Sequence, residues 1–177
     1  MNFRDLFSTL LLLFAFCFRL QEASKCKRRV PENNHGIQPI TFINQEDDLK
    51  RDNLLHTFQV LSAEWIVQFK FHLTTINPGW CNIILMTAQP DSIHINSPRY
   101  GYRAPSVYID AQNNRFEISN SVSGRSQYSY FHNGLTQKTI YEMELHQRYK
   151  RGGVYKYSII INGEEVHTAD NTQAEQF

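Results

Sequence analysis

Pairs of acidic residues two positions apart are the first candidates for chemistry in this chain. Glu142 and Glu144 alternate with apolar residues, and Glu46 and Asp48 have the same spacing. Side chains two residues apart lie on one face of a β-strand, and two carboxylates that flank a sugar bond can hydrolyse it, one as the acid and one as the base or nucleophile. The alternative is that each pair lies on a solvated surface.

Other catalytic motifs are absent. The sequence contains no serine hydrolase motif, no phosphate-binding glycine-rich loop and no HExxH motif.

A second group of residues could bind a ligand rather than transform it. Aromatic rings in or beside loops can pack on the apolar faces of sugars, or they can pack against the edge of a sheet. Arg103 ends a long polar segment that begins at Gln89, and its guanidinium either contacts a ligand or fixes the loop to backbone carbonyls. Seven residues are candidates for ligand binding. They lie in this segment, in the strand before it and in a predicted loop over Ser119–Gly124: Trp80, His94, Arg99, Tyr100, Tyr102, Arg103 and Asn120.

The cysteines indicate a possible disulfide rather than a metal site. Cys17 lies in an apolar leader, which leaves Cys26 and Cys81. These two could be bridged in an oxidising compartment; alternatively, Cys81 is a buried free thiol, because it begins the apolar run CNIILM. No Cys/His spacing suits zinc, and no N-x-S/T acceptor for an N-glycan occurs.

Calcium is the one cofactor that the acidic residues could bind. Asp91, Asp110 and Asp170 could contribute oxygen ligands, but no spaced acidic loop accompanies them. Roles in turns and caps are the alternative. We therefore expect no cofactor.

Residues 1–23 predict secretion. Arg4 precedes the apolar run Leu6–Phe18, and Ala23 and Ser24 are small residues at which a signal peptidase could cut. The run is shorter than the roughly 20 apolar residues that span a bilayer. We expect a cleaved signal peptide, with a signal anchor as the alternative, and a secreted protein that has no membrane segment after cleavage.

Composition predicts one folded domain after a polar arm. The chain is 41% hydrophobic and 20% charged, which is typical of a folded protein. A formal net charge of +1 gives no field that would favour nucleic acid as a partner. Residues 24–52 are polar and predict an arm or a lone edge strand near Ile40–Ile43, and residues 53–177 form the domain.

Two-residue periodicity predicts that β-strands position these side chains. The clearest strand runs from Trp65 to Leu73, and its alternate apolar residues should face the core. Near the end of the chain, three adjacent strands are predicted, and Asn162-Gly163 joins the last two through a type I′ turn. Further strands are predicted at Leu55–Val60, at Asn82–Met86 as a central strand covered on both faces, around Val107–Ile109 and Phe116–Ile118, and at Gln127–His132. Eight or nine short strands without a helical period indicate an antiparallel sandwich or barrel.

Six segments in order also resemble a known module: WIVQFKF, NPGWCNIILMT, YGYRAPSVY, RFEISNSVSG, YEMELHQ and YKYSIIINGEEVHTADNTQAEQF. They are similar to secreted modules of the concanavalin A-like lectin/glucanase superfamily, which includes laminin G-like domains. The resemblance covers about Asn53 to Phe177 and implies an extracellular two-sheet antiparallel jelly-roll sandwich that binds glycans or other proteins. It also implies an Arg-x-Pro at the end of the long loop, where Arg103-Ala104-Pro105 matches. Such modules usually carry one more strand after this last segment, so either the sequence is a fragment or its last strand is missing. In the second case we expect an exposed sheet edge through which chains could self-associate.

Two site patterns known in related lectins and glucanases match only in part. The glucanase pattern Glu-x-Asp-x-x-Glu fails at its last position, where Arg51 follows Glu46 and Asp48, and Gln147 occupies the corresponding place after Glu142. His94 to Arg99 resembles the His-x-Asn-Pro-Arg sugar site of galectins, but the extra Ser97 changes the alternation, so chance loop composition is the alternative.

The prediction for function is a secreted, non-catalytic recognition module that binds a glycan or an extracellular protein. The alternative from another class is a structural or adhesive component of the extracellular matrix. A more remote alternative is a degenerate glycoside hydrolase.

Overall fold

The computed structural model describes residues 39–50, 53–59, 62–87 and 101–174. The chain divides into two units, residues 1–45 and 46–177. In the first unit, the described residues 39–45 form neither helix nor strand, so the edge strand predicted near Ile40–Ile43 is not formed. The predicted signal peptide and Cys26 lie outside the described residues.

The second unit is an antiparallel β-sandwich. Its described strands are β1 (Trp65–Leu73), β2 (Trp80–Leu85), β3 (Ser106–Asp110), β4 (Arg115–Val122), β5 (Arg125–Asn133), β6 (Thr139–Arg151), β7 (Val154–Ile161) and β8 (Glu164–Asn171). They form two four-stranded sheets: sheet I has the order β1-β6-β7-β8 and sheet II the order β2-β3-β4-β5. The prediction of an all-β fold with two antiparallel sheets is confirmed. None of the described residues lies in a helix that could cross a membrane.

The core lies between the inner faces of the two sheets, where alternate side chains of each strand meet. Phe116 of β4 is fully buried, and its ring contacts those of Phe71 and Tyr141 edge to face at centroid distances of 5.8 and 4.9 Å. The predicted apolar phase of β1 is correct, because Leu73 is buried in the core and Trp65, Phe69 and Phe71 pack against it. Aromatic rings in this geometry contribute both buried area and a favourable electrostatic contact.

The turn between β7 and β8 is formed by Asn162 and Gly163, as predicted. Their φ angles are 51° and 79°, and a type I′ turn requires positive φ at both positions. Asn162 also holds the turn to β6, because its N–H donates to the Glu142 carbonyl at 2.8 Å and its Oδ1 accepts from the Glu142 N–H at 2.9 Å.

Two strand predictions before β3 are wrong. Residues 55–59 form no strand, and Val60 lies outside the described residues. The apolar run after Cys81 was predicted as a central strand, but β2 lies at the edge of sheet II in the described part of the chain. A continuous apolar run is typical of a strand covered on both faces; here Ile83 and Ile84 pack partly against the core, while Trp80 and Leu85 are exposed.

The loop predicted over Ser119–Gly124 is largely strand. β4 continues to Val122, and only Ser123 and Gly124, both with positive φ, form the turn to β5. The serines of this segment resemble a loop in composition, but their hydroxyls bond to other residues of the folded sheet: Ser119 contacts Ser129 at 2.8 Å. Such contacts between distant residues override local strand propensity.

A histidine connects the edge strands of the two sheets. The imidazole of His167 on β8 stacks on the ring of Tyr130 on β5 at 4.7 Å, and its Nε2 lies 2.9 Å from the hydroxyl of Tyr128. Burial lowers the pKa of His167 below its ordinary value of 6.5. The folded state therefore favours the neutral imidazole.

Acid should consequently weaken the sandwich. The stability that neutral His167 contributes is fully present above about pH 6.5 and is lost as the pH falls through the lowered pKa, because the unfolded chain then binds the proton more strongly. We expect the free energy of unfolding to decrease between pH 7 and 5, and His167→Phe, which keeps a flat ring but cannot titrate, to reduce that decrease. Part of the decrease in stability should remain in this variant, since burial also lowers the pKa of His146. Equal pH dependence in the native chain and His167→Phe, measured by urea unfolding, would contradict this interpretation.

Candidate functional site

The outer face of sheet II carries three rows of polar and aromatic side chains. Residues paired directly across neighbouring strands project from the same face, and the alternate residues of β3 and β4, such as Val107 and Phe116, are in the core. The rows are Ser106, Ser119 and Ser129; Tyr108, Glu117 and Phe131; and Asp110, Arg115 and Asn133. We call these nine residues, together with Trp80, which pairs with Asp110, and the adjacent Arg103, the polar face.

Glu117 is the centre of the polar face. Its Oε1 accepts hydrogen bonds from Ser119 Oγ at 3.1 Å, Ser129 Oγ at 2.7 Å and Gln127 Nε2 at 3.0 Å. The residue is only 7% exposed, and a buried carboxylate needs such donors to offset the loss of water. The carboxylate is therefore held in one orientation.

Arg103 lies beside this carboxylate. Its Nη1 is 3.7 Å from Glu117 Oε1, and its guanidinium carbon is 5.1 Å from the centroid of the Tyr108 ring. Burial raises the pKa of Tyr108, although the nearby Arg103 opposes the rise. The Tyr108 hydroxyl consequently stays neutral near pH 7 and can both donate and accept a hydrogen bond.

The backbone around Arg103 is fixed by contacts with β4 and with the end of β2. The Gly101 N–H donates to Ser121 Oγ at 2.8 Å. Met86 and the Ala104-Pro105 pair exchange two backbone hydrogen bonds, of 2.8 and 3.0 Å. The peptide bond between Ala104 and Pro105 is cis. Ser121 is thus a positioning residue for the guanidinium.

A second ion pair lies in the third row. Arg115 Nε donates to Asp110 Oδ2 at 2.9 Å, and Asn113 Nδ2 donates to the same oxygen at 2.7 Å. Burial acts to raise the pKa of Asp110, but the hydrogen bonds from Asn113 and Arg115 outweigh it and lower the pKa. The Arg115 guanidinium also lies 4.0 Å from the centroid of the Phe131 ring.

Trp80 is a large exposed ring on this face, and no guanidinium of the described residues stacks on it. It is 54% exposed, and one edge contacts the Tyr108 ring at a centroid distance of 6.4 Å. Phe131 is 40% exposed, but Arg115 stacks on it. Ser106, Ser119 and Asp110 are fully buried, and Glu117 is nearly so. The groups of this face that are open to a ligand therefore include Tyr108, Arg115, Phe131, Asn133 and the indole of Trp80.

The structure brings together two of the predicted site residues, Trp80 and Arg103, which both contact the ring of Tyr108. Tyr102 and Asn120 are both buried; Asn120 belongs to β4 and shares the inward phase of Phe116. The remaining candidates lie outside the described residues: His94, Arg99 and Tyr100.

Sequence reasoning missed Tyr108, Glu117 and Arg115, and it considered Asp110 only as a calcium ligand. The signal that could have found them is the polar phase of β3 and β4, in which these residues alternate with Val107, Ile109, Phe116 and Ile118. That phase identifies a polar outer surface, but the register between the strands decides which residues meet.

The acidic pairs considered first lie elsewhere. Glu142 and Glu144 share the outer face of sheet I, as predicted, where Lys70 contacts Glu142 at 2.6 Å and Gln68 and His146 contact Glu144. Glu142 is exposed, as the interpretation of a solvated surface predicts, whereas Glu144 is only partly exposed, and His146, two residues along the same strand, is 5% exposed.

Cys81 is exposed on β2, so the alternative of a buried thiol is wrong. Its proposed partner Cys26 lies outside the described residues, so the disulfide stays a prediction. Among the described residues no group of three or more His, Cys, Asp or Glu side chains could hold a metal ion. Asp110 and Asp170, two of the three calcium candidates, are paired with Arg115 and Lys150, and Asp91 is not described.

Comparison with known proteins gives no relative. The chain matches no protein-family model, no curated protein and no solved structure. Its function must therefore be argued from the geometry of the polar face.

Proposed function

We propose that this chain is a secreted, non-catalytic recognition module with a concanavalin A-like jelly roll, and that it binds a glycan through the polar face. The observation that carries the proposal is the exposed ring of Trp80 beside hydrogen-bonding groups of fixed orientation. Secretion is supported by the apolar leader of residues 1–23.

A sugar ring presents an apolar C–H surface and a rim of hydroxyls, and the polar face offers a complement to both. The Trp80 indole provides a flat apolar surface, while the partly exposed Tyr108 and Arg115 provide hydrogen-bonding groups close to it. Binding sites of this kind combine apolar contact with a few polar groups that fix orientation. Since Glu117 and Arg103 are already held by their neighbours, little side-chain entropy is lost on binding.

The acidic groups of the polar face suit binding better than hydrolysis. Glycoside hydrolysis needs one carboxyl group with a raised pKa to protonate the leaving oxygen. The pKa of Asp110 is lowered instead, and its carboxylate is engaged by Arg115 and Asn113. Three donors and the nearby guanidinium of Arg103 surround Oε1 of Glu117, which suits a fixed acceptor.

The proposal is tested with Trp80→Ala on a glycan array, followed by titration of the glycan that the native chain binds best. We expect at least a roughly tenfold increase in Kd, equivalent to about 1.4 kcal/mol, because the ring supplies the main apolar contact. Tyr149→Ala is the matched control, since Tyr149 is also 54% exposed but lies on β6 of the other sheet.

Unchanged affinity in Trp80→Ala would place the binding surface elsewhere. An array without binding, together with self-association that increases with protein concentration, would favour the structural or adhesive role instead. Hydrolysis of an array glycan would favour the degenerate hydrolase.

A further inference from the structure

The charges of the polar face are paired. Arg103 lies beside Glu117 and Arg115 is hydrogen-bonded to Asp110, so two guanidinium groups and two carboxylates cancel formally. All four side chains lie in the second and third rows or directly beside them. A face built in this way attracts neither anions nor cations over a distance.

Each guanidinium group also lies over an aromatic ring. Arg115 lies over the ring of Phe131 at 4.0 Å and Arg103 over that of Tyr108 at 5.1 Å. Each guanidinium has a carboxylate beside it: Asp110 lies 2.9 Å from Arg115, and Glu117 lies 3.7 Å from Arg103. An anion that approached either guanidinium would therefore also be repelled by the neighbouring carboxylate, which offsets the attraction.

One further cation occurs in the strands of sheet II, Arg125 at the start of β5. It pairs with Val122, a core residue, and so belongs by register to the opposite face from the three rows. It therefore adds no charge to the polar face.

From this pairing we infer that the polar face selects uncharged glycans over sulfated or uronic acid-containing ones. The inference rests on the proposed function, because it names the chemical class of ligand for the same surface. Recognition then depends on hydroxyl hydrogen bonds and ring contact, and only weakly on ionic strength.

The first experiment compares the native chain with two sets of oligosaccharides of equal length, neutral hexose and N-acetylhexosamine oligomers and heparin-type sulfated oligomers. We expect the best neutral oligomer to bind at least about tenfold more tightly than any sulfated one, with less than about a twofold change in Kd between 50 and 300 mM NaCl. Tighter binding of the sulfated set, with a steep loss of affinity in salt, would overturn the inference and leave the proposed function intact. Binding of neither set would overturn the proposed function, and the inference with it.

The second experiment unpairs one guanidinium. Asp110→Asn keeps the shape of the side chain but removes the charge that neutralises Arg115. We expect it to gain affinity for the sulfated oligomers by about fivefold or more and to become salt-sensitive. Asp170→Asn makes the same change in net charge on β8, where Asp170 is paired with Lys150, and should gain nothing. Equal gains in the two variants would overturn the inference; if Asp110→Asn does not fold, the comparison on the native chain still decides.

Discussion

Replacing Phe116 with alanine should lower the free energy of unfolding by about 3 to 5 kcal/mol, the usual cost of removing a large buried ring. Phe116 is 0% exposed and contacts rings from both sheets, Phe71 and Tyr141 of sheet I and His132 of sheet II. Its removal leaves a cavity where the two sheets meet, and close-packed rings cannot easily move to fill it. Urea unfolding should show a lower midpoint at an unchanged slope.

Phe131→Ala is the matched control for this prediction. It removes the same ring from the neighbouring strand β5, but from the outer face, where Phe131 is 40% exposed. We expect a loss of less than about 1 kcal/mol, since surface substitutions are usually small. Phe69, which lies in the apolar phase of β1 but is only partly buried, should fall between the two. Similar losses for Phe116→Ala and Phe131→Ala would show that the inner and outer faces had been assigned wrongly.

Asn171→Ala should cost about 2 to 4 kcal/mol, because it leaves several buried polar groups without partners. Asn171 ends β8 and is fully buried. Its Oδ1 accepts from the N–H groups of Ser123 at 2.8 Å and Gln173 at 3.1 Å. Its Nδ2 donates to the Ser121 carbonyl at 3.2 Å and to Gln147 Oε1 at 2.8 Å. One side chain thus joins the end of β8 to β4 and β6, and thermal or urea unfolding measures its contribution.

Asn171→Asp tests the acceptor and the donor of this amide separately. The aspartate keeps Oδ1 as an acceptor, but its second oxygen would face the Ser121 carbonyl and Gln147 Oε1, which are both acceptors. We expect a clear loss of stability at pH 7 and a partial recovery in acid, where the carboxyl group is protonated and can donate. A variant Asn171→Ala as stable as the native chain would show that water replaces these hydrogen bonds at no cost.

The parts of the fold that were predictable from the sequence depend on neighbouring residues. The apolar phase of β1 from Trp65 to Leu73 and the hairpin around Asn162-Gly163 follow from two-residue periodicity and from turn chemistry. The short strands β3 and β5 were found in the same way. Each of these features is specified within about ten residues of chain.

The wrong predictions concern features that distant parts of the chain decide. Whether the apolar run after Cys81 is central or at an edge depends on which strands lie on each side of it, and in the described residues only β3 pairs with it. Ser119 to Val122 continue β4 because β5 pairs with them and their hydroxyls find partners there. Composition alone cannot contain this information.

The candidate site was only partly predictable for the same reason. Trp80 and Arg103 are predictable as ligand-binding candidates, because they are an aromatic ring and a guanidinium beside a long loop. Both belong to the polar face. Glu117 was missed because its importance comes from Ser129 and Gln127 of the next strand, which donate to it. Strand register creates the site, and a one-residue slip would turn these side chains to the other face.

The register irregularities of the outer strands have a consequence for growth of the sheets into fibrils. In the described part of the chain, the pairings of three outer strands with their inner neighbours shift register: between Asn82 and Ile84 for β2, between Asn120 and Val122 for β5, and between Ile159 and Ile160 for β8. In each case the extra residue belongs to the outer strand, so that strand bends and twists where the ladder is interrupted.

A bulged strand is a poor template for another chain, because its free N–H and C=O groups do not form one regular row. The fourth outer strand, β1, pairs regularly but carries Lys70 on its outer face, and an edge lysine opposes stacking of like strands. Each of the four outer strands in the described part of the sandwich thus carries an obstacle to amyloid-type templating, including the apolar run of β2.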